Sequence, residues 1–281
     1  MVKMVVTDLD GTLLSSNSDY SSKNLSTLHL LGEMGIIRVI ATGRSPYSAS
    51  KVIPNDFPID YLVFSSGAGI IRWSDKSIVY TTELNSSKVQ EIIDLFVDSS
   101  VDFMVQEPIP QNHIFHYHSS GGSNPDFDRR LAVYKDFCSP LILGISYPDN
   151  ATQLIAVLPP NPELFYSLES KLTGVKVIRA TSPLDGESIW MEIFPEGVSK
   201  GHSVDWLCKF LGNIQPNEIL AIGNDYNDLD LLNYTPNSYL VSNAPDELKQ
   251  KFKVVASNDE SGFAEAVEKE ISQFDNERIR H

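Results

Sequence analysis

The chain has 281 residues, 42% of them hydrophobic, so it is long enough for two domains and apolar enough to build a real core. Its formal net charge of −15 argues against non-specific binding to nucleic acid or to an anionic membrane. No apolar run reaches about 18 residues and the N-terminal one is too short for a signal peptide, while Cys138 and Cys208 stand far apart outside any CxxC pattern, so a cytoplasmic protein with two reduced thiols is expected.

An apolar run at residues 1–6 reads as a buried strand and leads directly into TDLDGTLL, Thr7–Leu14. Asp8 and Asp10 are one residue apart, so an extended backbone sends both carboxylates to the same side. Gly11 and Thr12 then allow a sharp turn. Two anions that close repel and lose water, and a cation is the natural offset. A helical pattern follows at 23–34, with Leu25, Leu28 and Leu31 on one side and Gly35 as its stop. IIRVI is the next strand and ends in ATGR, Ala41–Arg44. A helix is expected from Pro46, then a strand YLVFS, then a hairpin over 69–80.

Between residues 82 and 187 the texture changes. Helical patterns at 87–97, 127–137 and 163–172 mix with strand-like runs at 103–106, 153–158 and 175–180. Polar stretches interrupt them at 116–125 and 147–152. We read this block as an inserted α/β cap domain. From about 188 the strand–helix alternation resumes: WMEIF, then GVSKG at Gly197–Gly201 opening a helix over 199–211, then the strand ILAI. GNDYND at Gly223–Asp228 comes next, then a helix over 229–233, a strand YLV and two closing helices. Residues 1–81 and 188–281 together are expected to form a Rossmann-like, doubly wound parallel α/β sheet.

TDLDGT, ATGR, GVSKG and GNDYND each stand at the end of an apolar run. In an open parallel sheet, ligands bind beyond the carboxyl ends of the strands, so the four loops gather at one point. They bring carboxylates, a threonine hydroxyl, free backbone N–H groups and a lysine. That set suits Mg²⁺-assisted transfer of a phosphoryl group.

Taken in order, DLDGTLL, IATGR, EIFPEGVSKG, IGNDYNDLDLL, VSNAPDELK and ASNDESGFAEAVEK resemble the haloacid dehalogenase superfamily, and within it the Cof-type phosphatases with a class II cap. In that branch an α/β cap closes over the active site. The resemblance implies Asp8 as nucleophile and Asp10 as general acid and base, with its backbone carbonyl also on Mg²⁺. It implies Thr42 and the Gly43 N–H on a phosphoryl oxygen, Asn227 on the phosphoryl group, and Lys200 as a cation beside Asp8 and the phosphate. The family metal loop has the pattern Gly-Asp-x-x-Asn-Asp. Here Asn224 stands second, with Asp225 after it, so either Asn224 or Asp225 is the metal ligand and Asp228 an acidic support. Ser66 stands where the branch often has asparagine. Arg44 either reaches substrate or cap, or pairs with a core acid and orders its loop.

The implied activity is Mg²⁺-dependent hydrolysis of small phosphorylated metabolites, sugar phosphates first, through an aspartyl-phosphate. A sugar phosphomutase uses the same intermediate and is the alternative enzyme. A non-catalytic phosphate sensor or scaffold is the alternative outside enzymes, with Asn224 the mark in its favour. A true dehalogenase is disfavoured, because its chemistry needs no Asp10. The alternating histidines of HIFHYH, His113, His116 and His118, have only Glu107 nearby to complete a metal set, so a surface or substrate-facing strand is favoured over a zinc site.

Overall fold

MVVT forms β1 (Met4–Thr7), buried along its whole length. An all-apolar strand of this kind belongs at the centre of a parallel sheet covered on both faces. After it come α1 (Ser22–Glu33), β2 (Ile37–Ala41), α2 (Pro46–Ala49), β3 (Tyr61–Phe64), β4 (Gly69–Arg72) and β5 (Ile78–Thr81). Ser21 starts α1 by accepting the Asn24 N–H, as a helix N-cap should. The computed structural model describes residues 1–182 and 184–278. It divides into one unit of Met1–Arg44, Ser48–Tyr80 and Ser199–His281, and a second of Ser45–Tyr47 and Thr81–Val198.

The second unit contains α3 (Ser86–Asp98), β6 (Asp102–Gln106), β7 (Phe115–His118), α4 (Pro125–Val133), β8 (Cys138–Pro140), β9 (Gln153–Leu158), α5 (Pro162–Glu169), β10 (Val175–Thr181) and β11 (Ile189–Pro195). Its six strands run in the order β10-β11-β9-β6-β7-β8, antiparallel except for the β7–β8 pair. Alternation along the strands divides the side chains. Phe103, Val105, Leu154, Ala156, Met191 and Ile193 join one apolar cluster with residues of α3 and α5. Met104, Phe115, Ile155, Val157 and Trp190 join another with Phe127 of α4. Asn124 and Asn161 cap α4 and α5, each followed by proline in the first helical turn.

WMEIF was expected to open the return to the first sheet, and here the structure differs. β11 pairs with β10 on one side and β9 on the other, so the strand belongs to the second unit and the first resumes only at Ser199. The reason is physical. Ile189, Met191 and Ile193 face one cluster and Trp190 the other, so β11 is buried on both faces whichever sheet holds it. β7 also runs into the stretch from 116 that polar composition had marked as interruption, β8 lies where no strand was expected, and α4 stops at Val133, short of the expected 137.

The first unit then completes itself with α6 (Lys200–Phe210), β12 (Ile219–Gly223), α7 (Leu229–Tyr234), β13 (Asn237–Val241), α8 (Asp246–Lys249), β14 (Lys253–Val255) and α9 (Gly262–Arg278). The sheet order is β14-β13-β12-β1-β2-β3-β4-β5, parallel from β14 through β3. The chain moves from β1 outward through β2 and β3, then returns to the other side of β1 with β12. That reversal is a topological switch point, and Thr7 lies in register with both Ile40 and Ile222, so the ends of β1, β2 and β12 coincide.

Gly67 shows how closely the loops at this edge are packed. Its φ is +110°, and an added Cβ would lie 2.4 Å from the Ser199 carbonyl oxygen and 2.6 Å from Ser203 Oγ. Gly35 has φ +70° but nothing within 4 Å of such a Cβ. Gly67→Ala is therefore expected to cost about 2–4 kcal/mol, strain plus overlap, against about 1 kcal/mol for Gly35→Ala. Denaturant unfolding of both variants measures the difference, and equal losses would show that the Gly67 contact is slack.

Candidate active site

Lys200 begins α6, with the Ser199 side chain capping the helix by accepting the His202 N–H. Its side chain is fully buried, and Nζ donates to Asp8 Oδ1 and to Asp228 Oδ1, each at 2.6 Å. Asp228 is also fully buried. Its second oxygen accepts the backbone N–H groups of Asn224 at 2.8 Å and Asp225 at 3.1 Å, so one carboxylate fixes both the ammonium and the loop. Burial alone favours a neutral Lys200, but Asp228 and Asp8 outweigh it and hold the amine well above its ordinary range. Burial pushes the Asp8 carboxyl up to about 7; Lys200 opposes this, while Asp228 and Asp10 add to it. The cluster is short of positive charge.

Asp8 Oδ2 faces a second group. One end of the Asn224 amide lies 3.1 Å from Asp8 Oδ2, 3.2 Å from Thr12 Oγ1 and 3.3 Å from the Asp10 carbonyl oxygen. Two arrangements satisfy such a cluster. With nitrogen at that end, the amide donates to the surrounding oxygens. With oxygen there, the amide joins Asp8 Oδ2, Thr12 Oγ1 and the Asp10 carbonyl in a cluster of four oxygens that a hard cation would have to bridge. The donor set is all hard oxygen, next to an acidic group in need of countercharge, and so fits a divalent cation. Gly11 makes the approach possible: its φ is +72°, and a Cβ there would meet the Asn224 amide nitrogen at 2.6 Å.

Asp225 caps the following turn, accepting the Tyr226 N–H at 2.8 Å. Asn227 is half-buried in that turn. Thr42 is buried at the end of β2, and its Oγ1 accepts the Arg44 N–H at 3.1 Å, with Gly43 between them. The Thr42 carbonyl accepts the Ser66 N–H, and Ser65 N–H donates to the Arg44 carbonyl, which locks ATGR against SSG. Of the two alternatives for Arg44, the acid-pairing one is what the geometry has: Nε donates to Asp10 Oδ2 at 2.7 Å and Nη2 to Asp10 Oδ1 at 2.6 Å. Nη1 reaches the Ser48 carbonyl at 3.1 Å.

The sequence motifs did not single out Thr12 or Asn243 as site residues. Thr12 Oγ1 borders the oxygen cluster, and Asn243 Nδ2 donates to the Gly11 carbonyl at 2.8 Å, bracing the turn after Asp10. Both lie inside quoted motifs, TDLDGTLL and VSNAPDELK, which was the available signal. The histidines form no metal set. His116 contacts Ser139 Oγ at 2.9 Å and Glu107 Oε1 at 3.2 Å, His118 packs on Phe103, and His113 stacks on Tyr47. Among the described residues no group of three His, Cys, Asp or Glu side chains could hold a metal alone. The oxygen cluster above uses one carboxylate with a carbonyl and an amide.

The chain matches the model of the haloacid dehalogenase-like hydrolases over residues 5–267. It is 25% identical over 289 residues to the 5-amino-6-(5-phospho-D-ribitylamino)uracil phosphatase YwtE of Bacillus subtilis, covering 96% of this chain and 99% of that one. A haloacid dehalogenase-like hydrolase from Bacteroides thetaiotaomicron aligns with a TM-score of 0.70 at 26% identity, over 96% of this chain and 99% of the other. A subclass IIB sugar phosphatase shares the fold, with a TM-score of 0.75 at 18% identity over 95% and 98% of the two chains.

Removing the ammonium tests the charge argument. Lys200→Met leaves two buried carboxylates without their cation and should cost about 3–5 kcal/mol. The sign with pH follows from Asp8, whose carboxyl ordinarily titrates near 3.8 and here near 7. Folding takes up a proton between those values, so ionised Asp8 works against the fold as pH rises through that window. The penalty of Lys200→Met should therefore be larger at pH 8 than at pH 5. Unfolding titrations in chelator at both values measure it; a pH-independent penalty would mean that Asp8 and Lys200 do not share their charge.

Proposed function

We propose that this chain, which belongs to the haloacid dehalogenase-like hydrolase family, is an Mg²⁺-dependent phosphatase of small phosphorylated metabolites, with sugar phosphates as the leading class. The observation that carries the reading is the division of the Asp8 carboxylate: one oxygen on Lys200 at 2.6 Å, the other turned to the Asn224–Asp10 oxygen cluster at 3.1 Å. A carboxylate held in this way is fixed, countered by positive charge on one side and aimed by a loop on the other. The YwtE relative, whose name describes a ribityl phosphate substrate, supports the metabolite class.

Asp8 attacks phosphorus; the bond from phosphorus to the alcohol oxygen breaks, and its electron pair leaves on that oxygen. Asp10 supplies the proton the leaving alkoxide needs. The product is an aspartyl-phosphate and a free alcohol. Asp10 then takes a proton from water as the water oxygen attacks phosphorus, which restores Asp8 and releases inorganic phosphate. Arg44 grips both Asp10 oxygens, which fixes the carboxyl that carries out both transfers. Thr42 Oγ1 and the Gly43 N–H are the donors assigned to the phosphoryl oxygens, with Asn227. Lys200 keeps Asp8 aligned and lowers its repulsion with the anionic substrate. Asp8, the Asp10 carbonyl and Asn224 would hold Mg²⁺, which when bound would neutralise charge on the transferring group. Asp228 supports Lys200 and the loop, and Asp225 caps the turn.

Phosphate release from a panel of phosphomonoesters, with Mg²⁺ and with chelator, tests the reading directly. Asp8→Asn should keep the fold and lose turnover by at least about 10³-fold, because an amide cannot form the covalent intermediate. Turnover at the wild-type rate would end the covalent mechanism. Asn224→Asp adds a carboxylate at the oxygen cluster and should lower the Mg²⁺ concentration for half-maximal rate, while Asp225→Asn should change it little. The reverse pattern would make Asp225 the ligand.

A further inference from the structure

The segment after β8 reads LILGIS, residues 141–146, and the fold leaves most of it in water. Leu141 turns inward and packs against the apolar cluster that α3 shares with β6 and β9, and so does Tyr147 beyond it. The Tyr147 N–H donates to Gln90 Oε1 of α3 at 2.7 Å. Between these two anchors Ile142, Leu143 and Ile145 are 72%, 44% and 63% exposed. Single exposed apolar side chains are ordinary, but three within four positions make a patch, and patches mark interaction surfaces.

The patch borders a cavity of about 380 Å³ between this segment and α3, with Ile93 and Val97 of α3 on its wall. Ile93 and Val97 are one helical turn apart, and so are Asp94 and Asp98 beside them. The helix therefore presents an apolar row and an acidic row side by side, each repeating every ~6 Å along its axis. Gln90 donates to Asp94 Oδ1 at 2.7 Å and so steadies that carboxylate at the rim. Among the described residues the charged groups lining the cavity are those two aspartates, with no lysine or arginine. Both aspartates are exposed.

The surroundings choose among occupants. A second copy of this chain, joined about a two-fold axis, would set the carboxylates against their own images, in a chain of net charge −15. An anionic lipid surface meets the same repulsion. Strand addition at the free edge of β8 is blunted by Pro140, which has no N–H to offer a new neighbour. A small molecule filling the cavity would leave most of Ile142 and Ile145 in water. A helix with apolar residues one turn apart and lysine or arginine beside them complements both rows of α3 and is broad enough to cover the patch.

We infer that the groove between α3 and residues 141–147 is a docking site for another protein, which enters with a basic amphipathic helix. Its apolar face covers Ile142, Leu143 and Ile145, and its cations reach Asp94 and Asp98. None of these residues is among those assigned to phosphate chemistry, so the inference stands or falls independently of the phosphatase reading.

The test uses the full chain and a peptide of about 14 residues, roughly four turns, made of leucine and lysine patterned as an amphipathic helix. Two controls keep its length: the same pattern with glutamate for lysine, and the leucine–lysine composition in scrambled order. Anisotropy of the labelled peptides reads binding. The patterned leucine–lysine peptide should saturate with a Kd below about 100 μM, and both controls should bind at least about tenfold more weakly. Asp94→Asn with Asp98→Asn should weaken its binding by about tenfold, and so should Ile142→Ser with Ile145→Ser. All four positions are exposed, so both double variants should melt within about 2 °C of the wild type. Glu33→Gln with Asp56→Asn removes two charges from the first unit and should change affinity by less than about twofold. The inference is overturned if the patterned peptide does not saturate, if either control peptide binds as well, if the Glu33–Asp56 pair loses as much affinity as the Asp94–Asp98 pair, or if the isoleucine pair loses none. A dimer of the protein alone in sedimentation, abolished by the isoleucine pair, would assign the patch to a second copy instead. Flotation with phosphatidylcholine vesicles, lost in the same pair, would assign it to a lipid surface. Either result also overturns the inference.

Discussion

Everything at the edge of the first sheet is arranged around one buried ammonium. Lys200 sits at the first position of α6, where the helix dipole is unfavourable to a cation, and it is fully buried. Such a group persists only if anions more than offset the cost, and Asp8 and Asp228 do so from β1 and from the loop after β12. The triad in turn fixes three chain segments that are far apart in sequence. Asp228 spends its second oxygen on the N–H groups of Asn224 and Asp225, so the loop cannot shift without releasing Lys200. Two carboxylates against one ammonium leave one negative charge, and burial, with Asp228 and Asp10 adding to it, raises Asp8 to about 7 against the pull of Lys200. A cation at the oxygen cluster would offset that charge. Structure and chemistry thus share one electrostatic cause.

Asn224 shows how such a site stays folded with its charge unbalanced. Nitrogen at the crowded end of the amide donates to Asp8, Thr12 and Asp10; oxygen at that end would let them share a cation. A half-turn of one torsion exchanges the two. An aspartate at this position could serve only the second arrangement unless protonated, and would add repulsion to the first. The neutral amide gives up some attraction for a cation and tolerates its departure better. Arg44 does related work on Asp10, gripping both oxygens in the fork geometry that guanidinium and carboxylate share.

The legibility of the chain follows the range of the interactions. Asp8, Asp10, Thr42 and the GNDYND loop were readable because each lies at the end of an apolar strand of the first sheet, and a parallel sheet brings such ends together. Lys200 follows an apolar strand of the other sheet and joins them as the first residue of α6. The Asp10–Arg44 pair was not decidable from sequence, since Arg44 had two chemically sound partners and only backbone geometry separates them. The roles of Asn224 and Asp225 were equally hidden: they are adjacent, and sequence does not tell that the Asn224 amide lies beside Asp8 while Asp225 caps the next turn. In the second unit, helices and the central strands were close to pattern because their periodicities are strong. β11 was assigned to the wrong sheet because a strand buried on both faces carries no mark of which sheet it joins.

The two units spend stability in different ways. In the first, buried polar groups are bound into a closed network: Lys200, Asp8 and Asp228 satisfy each other, and the Ser203 hydroxyl is used on the Gly67 carbonyl at 2.6 Å. A network of that kind holds its geometry before any ligand arrives, as in-line chemistry at phosphorus requires. In the second, Asp126 is equally buried but accepts from Trp190 Nε1 and Ser182 Oγ, whereas Gln106 and Gln153 keep hydrogen-bonding capacity unspent. Sequences that fold well pair their buried polar groups, and exceptions cluster where a protein gives up stability for a purpose. Reactive groups need a fixed frame whatever the substrate.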